Sequence, residues 1–231
     1  KGALSFTDPN YNFTGKQLSY YIENIKNEKS DQGYDNSVFG AGIGLSYEKF
    51  KDIYFSPGLS LTYDDLTTDS SASDLIKKQA GSSTDLKFDY ALITDKRDRR
   101  FMPTDGHVSK FFQELPVYSE QPHIKNSISS NHYKEVNEDI VGALKFSVTA
   151  INGLEGEDVK LSQRLSLPSR RLRGFEQGKV GPKDGEDYVG GNYTSTLNLE
   201  ANFPNFFPEK SNADIGFFLD AGNVWGIDYS D

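Results

Sequence analysis

Apolar and polar residues alternate with a period of two along most of this chain, the repeat of a strand that has one apolar face. Over residues 38–47, Phe39, Ala41, Ile43, Leu45 and Tyr47 share one side, and Gly40, Gly42, Gly44 and Ser46 share the other. Ile53, Phe55, Pro57, Leu59 and Leu61 repeat the pattern, and Leu86, Phe88, Tyr90 and Leu92 stand opposite Lys87, Asp89 and Ala91. Leu144, Phe146, Val148 and Ala150 continue it, as do Leu197, Leu199, Ala201 and Phe203. The pattern predicts about ten strands, the first represented by its end only. Residues 108–115 and 127–136 are the least regular, because neither run has a clean apolar face.

The connections between these runs are unequal. Short ones are expected near residues 9–15, 49–52 and 137–139, and long ones near 27–36, 64–83, 116–126 and 152–191, with 94–106 intermediate. Long loops at one rim and short turns at the other are the mark of an outer-membrane barrel. A soluble antiparallel sandwich or barrel also alternates, so alternation by itself leaves both architectures open.

Composition separates them. Hydrophobic residues make up 35% of the 231, and the mean hydropathy is −0.61, yet aromatic residues reach 13%, with 16 Phe and 13 Tyr. Disordered chains lack such aromatics. In a transmembrane barrel only the outer face must be apolar, so the two facts agree there. No stretch approaches the ~20 apolar residues of a membrane helix. No linker or composition shift marks a second domain. The chain shows no signal peptide at Lys1 and opens on what reads as a strand end, so it is expected to be an internal piece of a longer protein.

Charge and residue types narrow the chemistry. The net charge of −9 argues against nucleic acid as a partner. The absence of cysteine removes disulfides and thiolate sites. There is no Gly-x-Ser-x-Gly elbow. His107, His123 and His132 are scattered over turns and irregular strands. The acidic stretches 155–158 and 184–187 lack the spacing of an EF-hand. No catalytic residue, metal site or cofactor is expected. The basic run Lys96-Arg97-Asp98-Arg99-Arg100 reads as a charged turn at the periplasmic rim.

The longest connection is the most informative. Residues 170–192, RRLRGFEQGKVGPKDGEDYVGGN, form a glycine-rich, charged stretch between two strands. Loops this long without structure of their own are either functional or disordered, and the Arg173-Gly174-Phe175 turn speaks for a defined conformation. In the strands that follow, Glu200 shares the parity of Thr196 and Asn198, and Asp220 that of Gly216 and Gly222. Both carboxylates therefore point away from lipid.

Three blocks resemble BamA-type outer-membrane assembly proteins, the bacterial surface antigen barrel superfamily. They are Leu172-Arg173-Gly174-Phe175 with Val180-Gly181-Pro182 and Gly190-Gly191-Asn192; Leu199-Glu200 with Phe218 to Trp225; and the turn Phe101-Met102-Pro103-Thr104-Asp105-Gly106. The resemblance spans essentially the whole chain. It implies an all-β fold, an antiparallel transmembrane β-barrel of about sixteen strands in the bacterial outer membrane. This chain would supply about ten of them as an open curved sheet, because closure ties strand number to tilt and stagger. Residues 1–231 would then be one partial barrel domain with an inserted loop at 152–191, without the upstream POTRA repeats and the terminal strands.

The same resemblance implies that the loop folds into the barrel. Arg173 would bind the inner-wall carboxylates Glu200 and Asp220, Gly174 would turn the backbone beside it, and Phe175 would fill apolar space in the lumen. Gly181, Gly190 and Gly191 would shape the rest of the loop. Arginine suits such a role because its planar fork binds carboxylates bidentately and stays charged when desolvated. The implied activity is folding and insertion of client outer-membrane proteins without a chemical step. The implied partners are unfolded clients, accessory assembly lipoproteins and outer-membrane lipid. A two-partner-secretion pore of the same superfamily and a passive porin are the alternatives.

Overall fold

The computed structural model describes residues 2–29, 33–72, 74–185, 187–204, 206–207 and 214–227. Ten strands form one sheet: β1 (Gly2–Asp8), β2 (Gln17–Lys29), β3 (Tyr34–Phe50), β4 (Ile53–Thr68), β5 (Gly81–Asp95), β6 (Gly106–Ser119), β7 (His123–Asn137), β8 (Ile140–Gly153), β11 (Tyr193–Phe203) and β12 (Ile215–Trp225). Each pairs antiparallel with the next in that order. Two short strands, β9 (Lys183–Asp184) and β10 (Asp187–Tyr188), make a separate hairpin inside the long loop. Among the described residues β1 and β12 do not pair with each other, so the sheet has two edges.

The register sorts the side chains into two faces. The outer face carries Phe39, Ile43, Leu59, Leu61, Leu197, Leu199, Phe217 and Leu219, all substantially exposed. The inner face carries buried polar and charged groups, including Asp64, Asp85, Lys87, Thr196 and Asn198. This inverts a water-soluble fold, and so large a continuous apolar surface is what lipid covers. On the inner side of β3 a Cβ on Gly42 would lie 2.4 Å from the Tyr21 ring. Glycine there lets that ring lie flat across the neighbouring strand.

The irregular runs 108–115 and 127–136 are strands as expected, forming the interiors of β6 and β7, of 14 and 15 residues. Their alternation is blurred because the outer face here carries His107, Ser109, Gln113, Asn126, Ser130 and His132. One expectation needs correction: the long connection expected at 116–126 shrinks to 120–122, and that at 27–36 to 30–33, of which 30–32 lie outside the described residues. The backbone ladder continues past the point where side chains stop alternating. A tilted strand crosses the membrane in about 9–11 residues, whereas β3, β4 and β5 have 17, 16 and 15. Their polar ends project beyond the bilayer. The contrast between rims holds for residues 69–80 and 154–192 at one end against the two-residue turns 51–52 and 138–139 at the other, whereas 9–16 and 96–105, at the latter end, are longer than 30–33 and 120–122 opposite.

The buried core is small and lies between loop and wall. Ile151 packs with Val159 and Leu165, and Leu167 and Leu172 pack with Val224 and Val180. At the long-loop rim, helix α1 (Asp74–Lys78) contributes Ile76 to a cluster with Leu66 and Ala72, against which Tyr34 and Leu161 pack.

Candidate functional site

The long loop leaves β8 at Gly153 and crosses the inner side of the sheet to its first anchor, a single 3-10 turn at Leu161–Gln163. There the Ser162 hydroxyl donates to the Asp64 carboxylate on β4, and the Lys160 ammonium donates to the Ser83 hydroxyl on β5. Lys87, also on β5, donates to Gln163 Oε1 at 3.3 Å and pairs with Glu114 at 3.3 Å. His123 lies 3.4 Å from the same Glu114 oxygen. Lys87 and His123, both buried, thus each have a partner in Glu114, and buried Asp64 has one in Ser162 through Oδ2, as desolvation favours.

The loop then returns to the opposite end of the sheet. Leu165 bridges Gly191, and the Asn192 N–H donates to the Gly226 carbonyl, which stitches the end of the loop to β12. A turn through residues 168–171 delivers Leu172 into the apolar cluster on Val224 and places Arg173 over β11 and β12.

Arg173 meets Asp220 side-on. Its Nε donates to Oδ2 at 2.7 Å, its Nη2 to Oδ1 at 2.6 Å, and its backbone N–H to Oδ2 at 3.0 Å. The Asp220 side chain is only 3% exposed. Asn198 Nδ2 donates to Asp220 Oδ1 at 2.7 Å and to the Arg171 carbonyl at 2.8 Å, tying the turn to β11. Nη2 of Arg173 also lies 3.0 Å from Glu200 Oε1, and the guanidinium carbon sits 3.7 Å from the centre of the Phe218 ring. Planar charge, bidentate acceptor and aromatic face together describe an arginine site that a lysine does not reproduce.

The remaining loop residues divide. Gly174 turns the chain at φ +87°, and Gly181 at φ +117° packs so closely that a Cβ would lie 2.7 Å from Val224 Cβ. Gly190 and Gly191 lie against the Leu165 and Trp225 carbonyls. Phe175 does not fill apolar space: it is 58% exposed among the described residues, and Leu172, at 5%, takes the apolar position. The turn at Gly174 carries residue 175 away from the wall that residue 172 faces.

Three participants escaped the sequence reading. Lys145 on β8 binds the second oxygen of Glu200 at 2.5 Å, so that carboxylate has two cations. Asn198 and Phe218 complete the setting of Asp220 and Arg173. Lys145 was accessible, since it has the inward parity opposite Leu144 and Phe146; which inward residue reaches the loop depends on register. The histidines also differ from expectation. His123 is buried on the inner wall, whereas His107 and His132 stack on the outer face with ring centres 5.3 Å apart.

An antiparallel sheet with an apolar outer face, a charged inner face and a loop bound along that inner face is the wall of a transmembrane β-barrel. The chain belongs to the Omp85 superfamily, whose domain model matches residues 1–231. It is similar to the outer membrane protein assembly factor BamA of Neorickettsia risticii, at 26% identity over 88% of this chain and 28% of that protein. It is also similar to the human sorting and assembly machinery component 50 homolog, at 26% identity over 69% of this chain and 36% of that one. The crystal structure of BamA from Haemophilus ducreyi lacking POTRA domains 1–3 superposes with a TM-score of 0.82 at 23% identity, covering 97% of this chain and 49% of that one. The chain thus spans about a third of the length of the Neorickettsia and human relatives. Family and fold place it in the bacterial outer membrane.

Proposed function

We propose that the protein containing this chain folds and inserts other β-barrel proteins into the outer membrane. The observation that carries the reading is the loop held on the inner wall by Arg173, in a chain whose relatives bear the names of assembly factors. A passive porin keeps a water-filled channel; a loop fastened along the inner wall at two anchors, one on β4 and β5 and one on β11 and β12, speaks against that reading. The work is binding and rearrangement without a chemical step. Unfolded barrel clients, accessory lipoproteins and membrane lipid are its partners. A strand edge with free N–H and C=O groups is the feature that pairs with a client strand.

The test is reconstitution of the full-length protein in lipid vesicles with a urea-unfolded client barrel, scored by heat-modifiable mobility of the client. The expected result is client folding faster than in empty vesicles. No acceleration, together with release of a single secreted partner into the vesicle lumen, would assign the chain to the secretion branch.

A further inference from the structure

The outer face of β5, β6 and β7 departs from the apolar belt at two levels, and the two are built differently. Higher on the wall, Tyr90 Oη donates to Gln113 Oε1 at 3.0 Å and Gln113 Nε2 to Asn126 Oδ1 at 2.6 Å. These polar groups satisfy one another, as groups facing hydrocarbon must. Lower down, at the rim of the short turns, stand His107, Ser109, Ser130 and His132 in directly opposed pairs. Ser130 Oγ lies 2.5 Å from Ser109 Oγ and 2.9 Å from His132 Nε2, which leaves His107 stacked on His132 with neither ring nitrogen hydrogen-bonded among the described residues.

This lower cluster lines a depression of about 640 Å³. One side of the depression is apolar, formed by Leu92, Phe111, Ile128 and Phe146; at its rim side lies Lys51, in the β3–β4 turn. Two nearby lysines are engaged by turn carboxylates: Lys96 lies 3.5 Å from Asp52, and Lys134 lies 2.8 Å from Asp105. Lys51 has no such partner among the described residues. Asp52, Lys96 and Lys110 also line the depression, Lys96 paired with Asp52 and Lys110 on the inner face with its ammonium over the Phe112 ring. On the lipid side, the groups without a polar partner among the described residues are the His107 imidazole and the Lys51 ammonium, and an apolar surface rises above them.

We propose that this depression binds the phosphate of a glycerophospholipid in the periplasmic leaflet. The inference rests on the barrel wall facing lipid and does not depend on the assembly activity. Three observations favour that occupant. The cluster lies beside the turn ends of β5 and β6, where the Lys96 N–H bonds the His107 carbonyl, so it stands where apolar wall gives way to water. Polar side chains on a lipid face cost least at that boundary. Donors below and aliphatic or aromatic surface above match a molecule with an anionic head and a hydrocarbon tail. His107 and Lys51 contact the phosphate oxygens, the Ser109–Ser130 pair adds hydroxyls, and the acyl chain lies along Leu92, Phe111 and Ile128.

Native mass spectrometry of the full-length protein in detergent micelles tests this, with palmitoyl-oleoyl phosphatidylglycerol, dioleoylglycerol and inorganic phosphate as separate probes. The phospholipid should be retained on the wild-type protein, and H107L/K51A should lower retention about tenfold, on the scale of losing a charge-assisted hydrogen bond. Ser195→Ala, on the outer face of β11, should leave retention unchanged. Heat-modifiable mobility verifies that each variant is folded. Should the double variant not fold, Lys51→Ala alone, in an exposed two-residue turn, still has to reduce retention. Equal retention of dioleoylglycerol, binding of inorganic phosphate without the phospholipid, or full retention by the variants would each overturn the proposal. So would a crosslinker at position 109 that captures a protein in cells and no lipid.

Discussion

Replacing Arg173 with alanine should release the inserted loop from β11 and β12 while leaving the wall intact. The substitution removes two charge-assisted hydrogen bonds to Asp220, at 2.6 and 2.7 Å, the contact with Glu200 and the stacking on Phe218. Breaking a buried ion pair by deleting one partner costs about 3–5 kcal/mol, because the other charge is stranded. Neither acid is wholly stranded here. Asp220 keeps Asn198 and the backbone N–H of residue 173, and Glu200 keeps Lys145. The Arg173 side chain is moreover 30% exposed, so part of its interaction is screened. A loss of about 2–3 kcal/mol follows from the bonds removed, or a shift of roughly 30- to 150-fold in the docking equilibrium of the loop. Hydrogen exchange of the full-length protein in micelles reads this directly. Amides of residues 168–181 should exchange faster by that factor, and amides of β8, β11 and the β4–β5 wall should not. Unchanged exchange in 168–181 would show that the apolar cluster of Leu167, Leu172 and Val224 holds the loop and that the arginine does not. If docking matters for assembly, the same variant should also fold clients more slowly in vesicles while its own heat-modifiable mobility is preserved.

Arg173→Lys should restore only part of the protection, since one ammonium cannot span both Asp220 oxygens and cover the Phe218 ring; full restoration would mean that charge alone is sufficient. Gly181→Ala should undock the segment around Val180 at a cost of about 1–3 kcal/mol, because its Cβ would enter the space of Val224 and its φ of +117° is a glycine conformation; wild-type protease resistance of the loop would refute this. In the turn 96–105, the backbone N–H of Asp105, with help from the Thr104 hydroxyl and N–H, holds the Asp98 carboxyl down at about 2. A lowered value means that the stabilisation is complete above the ordinary value of 3.8 and is lost as pH falls through about 2. Exchange of the Thr104 and Asp105 amides, corrected for intrinsic rates, should therefore accelerate only in strongly acid solution, and an onset near pH 5 would contradict the assignment. Lys145→Met should weaken the loop further in an Arg173→Ala background than in the wild type, because Glu200 then loses both of its cations; strictly additive exchange rates would show that the two cations act independently.

How far the sequence reaches depends on the range of the interaction that decides each feature. Two-residue alternation is local, so the apolar faces of β3, β4, β5, β8 and β11 and the inward parity of Glu200 and Asp220 were legible without a fold. Strand ends were not. The ladder of backbone hydrogen bonds carries β3–β5 past the bilayer and holds β6 and β7 together where their outer faces turn polar, and those bonds leave no mark on side-chain pattern. The inserted loop shows the same division. Its glycines and arginine stand out in the sequence, but the side-on grip of Arg173 on Asp220, the second cation at Lys145, the replacement of Phe175 by Leu172 and the distant anchor of Ser162 on Asp64 all join residues far apart in the chain. Only strand register fixes which inward side chains stand side by side. A shift of one residue would have sent Asp220 to the lipid and Leu219 to the loop.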